Sequence, residues 1–204
     1  DPPDYEPSPS DSIGARAAAR GVSPLEEAYD RLLDDDGHAM LLVTLANFRD
    51  GSLDTVAELI RRDDVVLGLG DGGAHYGMIC DASFPTYLLT HWVRDRASGR
   101  LSVAEAVREL TSVPARVAGL ADRGRIAVGY KADLNVIDAQ ALRLHRPVVV
   151  SDLPAGGRRL DQTADGYVAT IVSGQVIAEN GTPTDARPGK LIRGRQKGPV
   201  GSAT

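Results

Sequence analysis

Two apolar runs bracket one amphipathic helix: "AMLLVTLANF" at 39–48, "SLDTVAELIRR" at 52–62 and "VVLGLG" at 65–70. Continuous apolar runs of this length fit strands covered on both faces of a parallel sheet. Strand, helix and strand within about 30 residues is the pattern of a βαβ unit. The pattern predicts an α/β fold for the front of the chain. Its core must be mostly Val, Leu, Ile and Ala, because aromatic residues make up only 4% of the sequence.

The flanking elements follow from start and stop signals. "IGARAAARG" predicts a short helix ended by Gly21. In "SPLEEAYDRLLDDDG", Ser23 is placed to cap, Pro24 suits the first helical position and Glu26 completes a capping box. Leu25, Ala28, Tyr29, Leu32 and Leu33 share one face, expected to be the buried one. Asp34, Asp35, Asp36 and Gly37 end the helix, an acidic run read as a solvated turn rather than a metal site. "FPTYLLTHWVRDRASG" predicts a helix with Pro85 in its first turn. "LSVAEAVRELTSVPARVAGL" predicts two more, the first opened by a Ser102/Glu105 capping box and the second by Pro114.

The pattern changes at Asp122. "RGRIAVGYKADLNVID" is punctuated by glycine, and Ala132, Leu134 and Val136 alternate with Asp133 and Asn135, as in a half-buried strand. "GYVATIVSGQVIAENG" predicts a hairpin turning at Ser173-Gly174. After Asp185 the chain carries basic residues and no acidic ones, which predicts a solvated or loosely ordered tail.

A net charge of -5 and the lack of a basic stripe argue against nucleic acid as a partner. No run reaches the roughly 18 apolar residues of a membrane span. The opening "DPPDYEPSPS" is not a signal peptide. The single cysteine, Cys80, excludes an intrachain disulfide and fits a reducing, cytoplasmic setting.

The glycines of "GLGDGG" formally match G-x-G-x-x-G through Gly68, Gly70 and Gly73. A dinucleotide site needs a helix opening directly at the third glycine and a following strand that carries an acid. Here a loop intervenes and helices follow, so that reading is rejected. The alternative puts Asp71 at the carboxyl end of a parallel strand, where (β/α)8 barrels carry catalytic side chains, with Gly72 and Gly73 letting substrate approach the backbone. Equally open from position alone is a turn-forming Asp-Gly pair.

The stretches "GLGDGGAHYGMICDASFPTYLLTHWVRDR", "SVPARVAGLADRGRIAVGYKADLNVID" and "SGQVIAENGTPTDARPGKLIRG" together resemble the carboxyl-terminal part of an amidohydrolase-superfamily enzyme of the N-acyl-D-amino-acid deacylase type. The block "DRGRIAVGYKADLNVID" is similar to the passage where such chains leave the barrel for a β-sandwich. The resemblance implies the last βα units of a metal-dependent hydrolase barrel over residues 1–121, part of a β-sandwich over 122–194 and a tail over 195–204. It implies a divalent metal, usually zinc, and an aspartate beside it. That aspartate is Asp71, a proton shuttle and possible ligand. The remaining ligands are expected upstream of residue 1. The implied substrate is a small non-peptide amide, such as an N-acyl-D-amino acid.

This sequence departs from the family pattern in two ways. Its histidines, His38, His75, His91 and His145, include no His-x-His pair and show no metal-ligand spacing. A barrel also needs about 250 residues, so the chain is expected to hold no metal alone, to be inactive alone, and to need the missing front of its polypeptide or self-association. Second, related enzymes that bind an amino-acid carboxylate use an arginine after the aspartate, and no Arg or Lys stands between Asp71 and Arg94. His75 is a candidate substrate contact or orienter of the carboxylate; its alternative is a loop histidine satisfied by backbone. Cys80 reads as a small hydrophobe, Asp81 as a cap or turn, and His91 and Trp92 as packing or surface residues. Two other functions stay open: a cyclic-amide hydrolase of the hydantoinase or dihydroorotase kind, and a non-enzymatic structural or interaction domain.

Overall fold

The structure is a computed structural model that describes residues 3–44, 46, 48, 51–69 and 75–199. It is a mixed α/β protein with two compact units, one from Pro3 to Arg62 and the other beginning at Asp63.

The first unit is helical. Helix α1 (Ile13–Arg20) starts where Ser12 Oγ accepts from the Ala15 amide at 3.2 Å and stops at Gly21, whose φ of 70° reverses the chain. Helix α2 (Pro24–Gly37) is capped by Ser23 Oγ, which accepts from the Glu26 amide at 3.2 Å. Its regular turns end at Leu33. Asp34 is extended, and Asp35 and Asp36 take φ of 55° and 53°. Negative side chains gain nothing from the negative end of a helix, and aspartate tolerates the left-handed region better than most residues. Helix α3 (Asp54–Ile60) buries Ala57 and Ile60.

The apolar face expected to be buried on α2 is not. Leu25 is 84% exposed, and Tyr29, Leu32 and Leu33 are exposed as well. The fully buried side chain of α2 is Glu27. Its carboxylate accepts from Arg20 of α1 and, at 2.9 Å, from Arg31 Nε. Arg20 and then Arg31 hold this carboxyl below the usual range, against the opposing effect of burial. A buried carboxylate persists only when paired in this way.

Neither predicted strand of the βαβ pattern forms among the described residues. Residues 39–44 and 65–69 have no strand structure, and Met40, Leu41, Leu42 and Val43 are exposed. Residues 46 and 48 have no strand structure either, and positions 45, 47 and 70 lie outside the described residues. A parallel strand is made by the hydrogen bonds of its neighbours. Within the described residues no neighbouring strand pairs with either segment.

In the second unit, helix α4 (Phe84–Tyr87) carries Pro85 in its first turn and continues as a π-helix over Leu88–Asp95. Trp92 is buried on this helix beneath the Arg96 guanidinium, 4.7 Å from the ring centroid. Helix α5 (Val103–Leu110) opens with the predicted capping box: the Glu105 amide donates to Ser102 Oγ at 3.2 Å, and the Ser102 amide to Glu105 Oε2 at 2.7 Å. Helix α6 (Ser112–Val117) has Pro114 in its first turn.

The strands then follow: β1 (Leu134–Ile137), β2 (Arg143–Leu144), β3 (Val148–Leu153), β4 (Gly157–Asp161), β5 (Ala164–Asp165), β6 (Tyr167–Val172), β7 (Gln175–Glu179) and β8 (Thr182–Pro183). They form an antiparallel sheet in the order β1-β6-β7-β8 and two pairs, β2-β5 and β3-β4. The predicted hairpin is β6–β7. Ser173 and Gly174 turn it with φ of 51° and 78°, the two positive values that match the twist of a tight hairpin. The predicted alternation in β1 is broken. Leu134 and Ile137 are half-buried while Val136 is exposed, and the pairing register with β6 shifts between Val136 and Ile137, where Val168 is skipped.

The described residues after Asp185 are mostly exposed, as expected, with one pairing at Gln196. Gln196 bridges to Leu120: its amide donates to the Gly119 carbonyl at 2.8 Å, and its own carbonyl accepts from Ala121 at 3.3 Å.

Candidate functional site

Asp71, Gly72 and Gly73, the residues that carry the predicted chemistry, lie outside the described residues. The structure takes up the chain again at His75. This residue has a φ of 56°, a region non-glycine residues rarely occupy. Its carbonyl accepts from the amides of Met78 at 2.8 Å and Ile79 at 3.0 Å, which closes a tight turn. Backbone strain of this kind persists only where the surroundings enforce it. The imidazole is exposed, as are Tyr76 and Met78.

Two links hold this turn and the residues on its carboxyl side. The Leu160 amide of β4 donates to the Tyr76 carbonyl at 2.7 Å. Ser83 Oγ donates to Gln162 Oε1 at 2.6 Å and also lies 3.2 Å from the Cys80 carbonyl. Gln162 in turn donates through Nε2 to the His145 carbonyl at 2.7 Å. One turn further along, Thr86 Oγ1 and the Tyr167 hydroxyl stand 2.8 Å apart. No local pattern marks Ser83, Gln162 or Leu160, since each meets a partner far away in sequence.

The support beneath this segment is the β3–β4 pair. Arg159 lies in a fork, donating to Asp152 at 2.7 Å and 2.9 Å and to Asp161 at 2.7 Å. Its hydrogen bonds to Asp152 and then Asp161 push the guanidinium above its ordinary value, and Arg159 holds the Asp152 carboxyl below the usual range.

The other candidates are structural. Cys80 is a free, half-buried thiol. Burial pushes it up, and the nearby Asp161 and Asp81 carboxylates add to that, so it is a poor nucleophile. Asp81 opens a 3-10 turn over Asp81–Ser83. His91 stacks on Tyr87 with centroids 4.7 Å apart and meets Trp92 edge-on at 5.6 Å. His38 Nδ1 lies 3.0 Å from the Asp35 carbonyl. His145 Nε2 stands 3.0 Å from Asp165, which also accepts from Arg143 at 2.9 Å. Among the described residues no group of three or more His, Cys, Asp or Glu side chains gathers where it could hold a metal ion. These residues do not fit the divalent metal that the resemblance implies. No helix among them is long and apolar enough to cross a membrane.

Residues 6–178 match the amidohydrolase family. An N-acyl-D-glutamate deacylase from Alcaligenes xylosoxydans xylosoxydans is 34% identical over 108 residues, covering 53% of this chain and 20% of that protein. A dihydroorotase from Methanothermobacter thermautotrophicus is 32% identical over 108 residues, covering 52% of this chain and 25% of that protein. The matched part thus spans a fifth to a quarter of the length of these curated relatives. No solved structure matches the chain.

Proposed function

Because this chain belongs to the amidohydrolase family, we propose that it forms the carboxyl-terminal part of a metal-dependent hydrolase acting on a non-peptide carbon–nitrogen amide bond. On this reading, residues 1–121 complete a barrel and 122–194 contribute to a β-sandwich. The observation that carries it is the family match across residues 6–178, joined to the similarity with a deacylase. The substrate class it favours is an N-acyl-D-amino acid or a related small amide.

Asp71 is this chain's contribution to the chemistry. Its carboxylate takes a proton from the attacking water as the new carbon–oxygen bond forms. It returns that proton to the amine as the carbon–nitrogen bond breaks. A carboxylate in hydrogen-bond reach of both atoms performs both transfers without net proton consumption. Gly72 and Gly73 leave room for substrate beside the backbone, and His75 offers an exposed imidazole four residues on. The ligands of the family's divalent metal, usually zinc, are assigned to other parts of the polypeptide. The single free cysteine suits a cytoplasmic setting.

The similarity to a dihydroorotase favours a second reading, in which the bond cleaved lies in a cyclic amide. The test uses the complete polypeptide that carries this chain, assayed on N-acyl-D-amino acids and on cyclic amides. Release of free D-amino acid, with turnover reduced roughly 100- to 10,000-fold by Asp71→Asn and folding unchanged, is the expected result. Ring opening alone selects the second reading. Turnover within a few-fold of wild type in Asp71→Asn makes Asp71 a turn residue and ends the proposal.

A further inference from the structure

The segment after Asp71 is held by a side chain from the strand-rich part of the chain. We propose that Gln162 is a positioning residue: acting through Ser83, it fixes where residues 75–83 stand, and with them the exposed side chains that face substrate. The proposal rests on the reading of Asp71 and its neighbours as the active site.

Residues 75–80 have no helix or strand of their own, and a 3-10 turn comes next. Such a segment depends on tethers for its position. Near its start the tether is backbone to backbone, from the Leu160 amide to the Tyr76 carbonyl. At its end the tether is made by side chains, from the Ser83 hydroxyl to Gln162 Oε1 at 2.6 Å. Both side chains are half-buried. The Gln162 amide is fixed at both ends, because its Nε2 donates to the His145 carbonyl at 2.7 Å. That contact aims Oε1 at Ser83. A carboxylate at 162 lacks the donor.

Leu160 lies on β4, which pairs with β3; Arg159 of β4 reaches across the pair to Asp152 and along its own strand to Asp161. Exposed Met78 stands between the two tethers, and exposed Tyr76 and His75 stand at and just before the first, with His75 held at positive φ. A group that must meet a reacting substrate needs placement to within a fraction of an ångström, and that placement comes from the residues behind it.

The experiment uses the complete polypeptide with Gln162→Ala, Ser83→Ala, the double variant, and Ser83→Thr, which keeps the hydroxyl. Amide hydrogen exchange over residues 75–83 is read alongside kcat/KM on whatever substrate the wild type hydrolyses. Faster exchange in that segment is expected in each alanine variant, with the β6–β7 hairpin unchanged. A fall in kcat/KM of roughly 2- to 10-fold is expected for each, the worth of one hydrogen bond. The double variant should fall no further than the singles, and Ser83→Thr should stay near wild type. Unchanged exchange in Gln162→Ala overturns the tether. Faster exchange with unchanged kcat/KM overturns the positioning role. The exchange result needs no substrate and so is independent of the Asp71 reading; for the kinetic result, loss of turnover in Asp71→Asn beside an unchanged kcat/KM in Gln162→Ala overturns the positioning role alone.

Discussion

Single carboxylates set how this protein responds to acid. Arg123 holds the Asp122 carboxyl below its ordinary value, with hydrogen bonds from Nε at 2.9 Å and from the second nitrogen at 3.0 Å. The same guanidinium reaches Asp133 at 3.1 Å and so joins two ends of the glycine-punctuated turn. His145 and then Arg143 lower Asp165, and Arg159 lowers Asp152. A carboxyl whose folded pKa is depressed adds stability above its unfolded value of about 3.9 and loses it as pH falls through the folded pKa. Melting temperature should therefore be level from neutrality to about pH 5 and decline below about pH 4. Asp122→Asn should lower the neutral plateau and make the acid decline shallower. A melting temperature that rises on acidification contradicts this account.

At the scale of elements, the turns decide more than the strands they join. Gly174 has a φ of 78° with open space where a Cβ would point, so Gly174→Ala incurs only the conformational penalty, about 1–2 kcal/mol. Gly166 has a φ of 93°, and a Cβ there would lie 2.6 Å from the Leu142 Cα and 2.7 Å from its amide nitrogen. Backbone on both sides cannot yield as a side-chain tip can. Gly166 sits between β5 and β6, and its carbonyl accepts from the Asp138 amide at 2.9 Å. Gly166→Ala should thus cost clearly more than Gly174→Ala in paired denaturant melts. Equal losses would show that the chain relaxes around residue 166. Across the α1–α2 contact, buried Glu27 of α2 pairs with Arg20 of α1, and along α2 it pairs with Arg31.

At the scale of the whole molecule, Leu25, Tyr29, Leu32 and Leu33 of α2 are exposed, and so are Met40, Leu41, Leu42 and Val43. A single exposed leucine is ordinary, but eight exposed apolar side chains over residues 25–43 are the ground for expecting association. The isolated 204-residue chain is expected to dimerise or aggregate at micromolar concentration. Light scattering checks this, and a monodisperse monomer with a cooperative melt would mean that the chain closes its own core. Changing Leu25 and Leu32 to Lys should reduce the association if α2 is the surface responsible.

The sequence by itself determined what depends on neighbours along the chain. Caps at Ser23 and Ser102, the stop at Gly21, the prolines at 24, 85 and 114, and the Ser173-Gly174 turn are set by dihedral preferences and hydrogen bonds a few residues long. The family was legible for a similar reason, since its motifs are contiguous blocks matched across residues 6–178. Of the candidate site, the motif residues Asp71, Gly72 and Gly73 lie outside the described residues. Tertiary structure alone decided the rest. The runs at 39–48 and 65–70 have the composition of strands, but a strand exists only when another lies beside it. The stripe on α2 has the period of a buried face, but burial requires a surface to meet it. The Ser83–Gln162–His145 chain joins residues that no local pattern connects. Contacts between distant residues depend on the whole fold, so a reading of short windows does not reach them.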